Sequence, residues 1–61
     1  MFQYMQYVDQ VRKYRQHFPL EEAVQLAVDY CIANGILKDF LLANKAEVIK
    51  MSIYEYDEEL H

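Results

Sequence analysis

Apolar residues near the start of the chain recur as Tyr4, Tyr7, Val11, Tyr14 and Phe18, in steps of three and four. That spacing averages about 3.5 residues and marks one narrow face of an α-helix. Val8 widens the stripe, while Gln6, Asp9, Gln10, Arg12, Lys13 and Gln16 fall largely off it. Asp9 and Lys13 form an i,i+4 pair in the favourable order. The pattern predicts a first helix over about 3–17. Two heptads are too few for a true coiled coil, so an ordinary packed helix is expected.

Pro19 restarts the chain. Proline fits the first helical position, where its missing N–H has no partner to lose, and it disfavours helical geometry in the preceding Phe18. Glu21 and Glu22 follow in the first turn, where carboxylates complement the helix N-terminus. Leu20, Ala23, Val24, Ala27, Val28 and Cys31 mark one face, with Leu26, Tyr30 and Ile32 on its flanks. Asn34-Gly35 ends this second helix, predicted over about 19–34, with Gly35 as the left-handed residue after the cap.

A third helical pattern opens with Ile36, Leu37, Phe40 and Leu41 and continues through Val48, Ile49, Met51, Ser52, Ile53 and Tyr56. Asn44 followed three residues later by Glu47 reads as a capping box. A break near Asn44 is therefore expected, giving helices over about 36–43 and 45–57, with one long helix as the alternative. Asp57, Glu58 and Glu59 oppose the helix dipole and are expected to fray as a solvated acidic end. The fold class is all-α, a single small module of three to four helices.

Composition changes the picture in one respect. Sixty-one residues lie near the size at which a monomer buries barely enough apolar surface to fold, yet 54% of this chain is hydrophobic. Such a surplus favours completion of the fold by oligomerisation, most simply as a dimer. Six tyrosines point the same way, because Tyr brings a large apolar area with a polar tip. The first-helix stripe Tyr7, Val11, Tyr14 and Phe18 is the expected partner-binding seam, joined by Leu20, Val24 and Val28 from the second helix.

Charge and chemistry subtract more than they add. A net charge of −4 disfavours non-specific nucleic-acid binding. Arg12, Lys13 and Arg15, flanked by Tyr7 and Tyr14, offer the alternative of a DNA-binding accessory segment, since basic groups interleaved with aromatics suit single strands. The tyrosines fall on the stripe expected to be buried, so a solvated helix face is the simpler reading. His17 sits at a helix junction and His61 at the last position, and neither has a second histidine at i+3 or i+4. Cys31 falls on an apolar face and reads as a small buried hydrophobe. One cysteine excludes an internal disulfide framework. No run approaches the roughly 20 apolar residues of a membrane span, and MFQYMQYVDQ does not read as a signal peptide. A cytoplasmic protein without catalytic residues, metal or cofactor is expected.

Several short motifs occur in order: Pro19-Leu20-Glu21-Glu22-Ala23-Val24, Cys31-Ile32 before Gly35-Ile36-Leu37, Asp39-Phe40-Leu41, Ala46-Glu47-Val48 and Tyr54-Glu55-Tyr56-Asp57-Glu58-Glu59. Together they resemble the C-terminal helical region of the recombination-promoting nucleases, also called PD-(D/E)XK nuclease family transposases, over about residues 8–59. The resemblance implies a bacterial protein related to the part of that family that follows its nuclease core. The core's aspartate and Glu-x-Lys signature have no counterpart here, since Glu47 and Lys50 are separated by two residues on a helix. It further implies an excised domain, a gene remnant or a product of an internal start. Internally started C-terminal proteins of that family bind and restrain the full-length nuclease in an antitoxin-like arrangement, which makes such a nuclease the expected partner.

Overall fold

A computed structural model describes the backbone of residues 2–59 and the side chains of residues 3–55. Three helices follow one another: α1 (Phe2–Arg15), α2 (Leu20–Ala33) and α3 (Lys38–Glu59). The described residues contain no strand, so the chain is all-α. Helix α3 is 22 residues long, about 33 Å of rise at 1.5 Å per residue, comparable to the 31 Å longest dimension of the molecule.

Helix α1 ends two residues earlier than its apolar period suggests. The Gln16 and His17 N–H groups donate to the Lys13 and Tyr14 carbonyls, at 3.3 and 3.0 Å, and Phe18 N–H reaches Tyr14 at 2.9 Å. These tight turns close the helix before Pro19. Pro19 itself stands just outside α2, with φ −57° and ψ 157°, and its carbonyl accepts the Ala23 N–H at 2.9 Å. No side chain caps this end. Glu21 and Glu22 occupy the first turn, complementing the unsatisfied N–H groups there.

The second junction is built as the Asn34-Gly35 pair predicts. Gly35 adopts φ 73°, its N–H donates to Ile32 O at 3.2 Å, and the Ile36 N–H donates to Cys31 O at 2.8 Å. This double closure is a Schellman motif, in which Ile36 also packs back against the core that contains Cys31. Because Ile36 finishes that motif, α3 begins at Lys38 and not at Ile36. Leu37 takes a left-handed φ of 51° at the entry. Its carbonyl accepts the Leu41 N–H, and its own N–H donates to Gln3 Oε1 of α1 at 2.8 Å.

The expected break falls at Asn44, whose φ −127° and ψ 25° interrupt α3 without ending it. The side chain acts differently from a capping box: Asn44 Nδ2 donates to the Phe40 carbonyl, four residues back, at 3.1 Å. Back-bonding of this kind competes with the helical ladder and bends it. The backbone stays helical through Glu59, past the expected end at 57. The side chains of Asp57, Glu58 and Glu59, and the whole of His61, lie outside the described residues.

Helix α2 is the centre of the bundle. Helices α1 and α3 each pack along it, whereas their backbones do not approach one another. Val24, Ala27, Val28 and Cys31 of α2 are fully buried, and they pack with Tyr7 and Val11 of α1 and Leu41 of α3. Ala23 and Ala27 are small, which allows close approach of a neighbouring helix. One polar pair joins the two outer helices: the Tyr7 hydroxyl and Ser52 Oγ lie 2.6 Å apart and are buried.

Candidate functional site

Conventional catalytic groupings are scarce on this scaffold. Among the described residues no three His, Cys, Asp or Glu side chains come together as a metal site. His17 is exposed in the turn after α1. Cys31 is fully buried, and burial pushes its thiol above the ordinary value, which keeps it protonated and a poor nucleophile. The Lys45–Asp29 ion pair, at 3.2 Å, tethers α3 to α2 on the surface, with both side chains half exposed or more. Such pairs stabilise by about 0–1 kcal/mol.

The partner-binding residues expected from sequence divide into two groups. Tyr7, Val11, Val24 and Val28 are at most 3% exposed in the single chain, covered by its own helices. They are the core that holds the bundle together and are not available to a partner docking on the folded monomer. Tyr14 and Leu20 are half-buried against the same core, and Phe18 stands exposed beside Tyr14, with ring centroids 6.3 Å apart. Four of the seven residues are therefore consumed inside the single chain.

What the structure leaves open is a groove of about 300 Å³ between the first half of α1 and the length of α3. It exists because both helices lean on α2 and not on each other. The buried Tyr7–Ser52 hydrogen bond closes its floor, together with Leu41. Tyr4, Phe40 and Met51 form its walls and are 49, 49 and 58% exposed. Leu37 and Val48 fill in between them, half-buried. The bend at Asn44 lets the segments before and after it, carrying Phe40 and Met51, line one concavity. The charged residues of the lining are both carboxylates, Glu47 and Glu55, and both are exposed.

Reading the sequence did not single out this groove. Tyr4, Phe40 and Met51 belong to the apolar patterns, but periodicity alone does not say which members of a face lack a neighbour. Large exposed hydrophobics occur elsewhere as well, at Met5, Leu42 and Tyr54. The groove differs in that its exposed side chains converge.

The basic cluster takes a less suggestive form. Arg12 and Lys13 are exposed on the last turn of α1, and Arg15 is half-buried and has an interaction partner. A shallow hollow of about 230 Å³ lies among Arg12, Arg15 and Gln16. Tyr7 is turned into the core and Tyr14 is engaged with Phe18, so neither presents a free ring for stacking on a base. No helix among the described residues is long and apolar enough to cross a membrane. Comparison with protein-family models, curated proteins and solved structures returned no match for this chain.

Proposed function

We propose that the chain is a non-catalytic helical interaction module. In this reading it self-associates as a dimer in the bacterial cytoplasm. It also pairs with the corresponding C-terminal region of a full-length nuclease of the family it resembles, restraining that enzyme in an antitoxin-like way. The observation that supports the reading is the α1–α3 groove, where Tyr4, Phe40 and Met51 converge in the open. Exposed apolar surface of this kind costs about 25 cal/mol for each Å² left in water, and a partner that covers it recovers that amount. The nuclease as partner is supported by the ordered motifs of residues 8–59 alone. The alternative of a DNA-binding segment built on Arg12, Lys13 and Arg15 lacks comparable support, since the adjacent rings are engaged elsewhere.

Light scattering after size-exclusion chromatography tests the proposal, on the chain alone and mixed with a catalytically dead full-length relative. A homodimer that exchanges into a mixed complex is the expected outcome. A homodimer that ignores the relative removes the nuclease from the proposal and leaves a structural module. A monomer at high micromolar concentration overturns self-association itself.

A further inference from the structure

Charge and shape are distributed unevenly along α1. One end, at Tyr4, borders the groove, whose charged lining is Glu47 and Glu55. Among the described residues neither carboxylate has an ion-pair partner. The other end carries Arg12, Lys13 and Arg15 in its last turn, and just beyond it the Phe18 side chain protrudes, 42% exposed. The molecule thus presents an aromatic knob with a basic collar and an apolar hollow with an acidic rim. These are complementary in both polarity and charge.

We propose that the groove of one copy receives Phe18 of a second copy, with the two α1 helices antiparallel and the basic turn of each facing Glu47 and Glu55 of the other. The inference rests on the self-association reading and specifies its geometry. Residues 4 to 15 span about 17 Å at a helical rise and Phe18 follows just past the helix end, so knob and groove lie toward opposite ends of α1. Antiparallel rods related by a two-fold axis bring each knob to the other's groove, which is the reciprocal contact a symmetric dimer requires. At about 300 Å³ the groove is at the small end of ligand-sized concavities, suited to one aromatic side chain and not to a long helix. Buried aromatic anchors dominate interface energies, while charges at the rim set orientation and salt dependence.

The test uses two variants and their mixture. Phe18→Ser removes the knob and Met51→Asp spoils the groove, and both positions are exposed, so circular dichroism melts at concentrations where the parent protein is monomeric are expected to match it. Each variant alone is expected to dimerise at least about 30-fold more weakly, because the two-fold axis removes both knob-to-groove contacts at once. Mixed together, they form a heterodimer in which one knob meets one intact groove, and this mixture associates more tightly than either variant by itself. Arg12→Glu is expected to weaken the parent dimer and flatten its dependence on salt. A parent dimer indifferent to both Phe18→Ser and Met51→Asp overturns this geometry while leaving self-association standing. Two weakened variants whose mixture gains nothing overturn the reciprocal pairing. A monomeric parent protein overturns both this inference and the reading beneath it.

Discussion

Helix α2 and the α1–α3 side of the bundle both carry apolar side chains and end in opposite states. On α2, Ala23, Val24, Ala27, Val28 and Cys31 have no exposure at all, because neighbours cover that helix from two directions. Across the α1–α3 gap, residues of comparable hydrophobicity remain half in water, and hydrogen bonds tie the helices where close packing does not. The contrast follows from geometry. Three rods fill a triangle only if all three pairs touch, and here two pairs do. The side that lacks a helix–helix contact becomes a concavity with an apolar lining.

Neighbouring residues of α3 provide the sharpest way to break that comparison. Leu41 is 1% exposed and Phe40 is 49% exposed. Leu41→Ala is expected to cost about 3 kcal/mol, the range for a leucine truncated in a packed core, read as a lower urea midpoint by circular dichroism. For so small a domain that is much of the total stability. A loss below about 1 kcal/mol would place Leu41 outside the core.

The next effect concerns the polar pair beneath the groove. Tyr7→Phe leaves the buried Ser52 hydroxyl without its partner and is expected to cost about 1–2 kcal/mol. Ser52→Ala on top of it removes the orphan, so the double variant should lose less than the sum of the two singles. Strict additivity in urea titrations would mean that the 2.6 Å contact contributes nothing.

Gly35→Ala probes the α2–α3 junction apart from packing. An added Cβ meets no atom within 4 Å, so the penalty is confined to the left-handed φ of 73° and should be about 1 kcal/mol. A shift in melting temperature of several degrees would report it. The smallest effect on the fold is reserved for Phe40→Ser, expected within about 0.5 kcal/mol of the parent monomer. Its consequence should appear in association, through the groove wall, and an unchanged dimerisation constant would show that Phe40 does not contribute to the interface.

Much of this fold is legible along the chain where punctuation is explicit. Pro19 after a stripe and Asn34-Gly35 after another both mark real helix ends, since each imposes a backbone geometry that neighbouring residues cannot override. Asn44 gives the bend correctly and its cause incorrectly, because the same side chain can cap a helix ahead of it or bond to the carbonyl behind it. The seam of α1 shows the limit on function. Its 3.5-residue period groups Tyr4, Tyr7, Val11, Tyr14 and Phe18, yet Tyr7 and Val11 are covered by the fold while Tyr4 and Phe18 project from its ends. Periodicity identifies a face, and only the placement of the other helices says how much of that face remains open. Ser52 falls within the third apolar pattern, and its hydroxyl among apolar neighbours is the one local sign of a polar partner across the bundle.

One bond described above gives an unusually direct view of motion. Gln3 Oε1 receives the Leu37 amide proton from 34 positions away, and it is exposed to solvent. Apart from the Tyr7–Ser52 pair, the outer helices meet through α2, so this proton is shielded only while the first turn of α1 sits against the entry to α3. Its deuterium-exchange rate therefore reports the free energy of opening the bundle's third side, separately from the global unfolding that frees the amides of α2. A binding partner that bridges the gap would slow exchange at Leu37 before it altered any other amide.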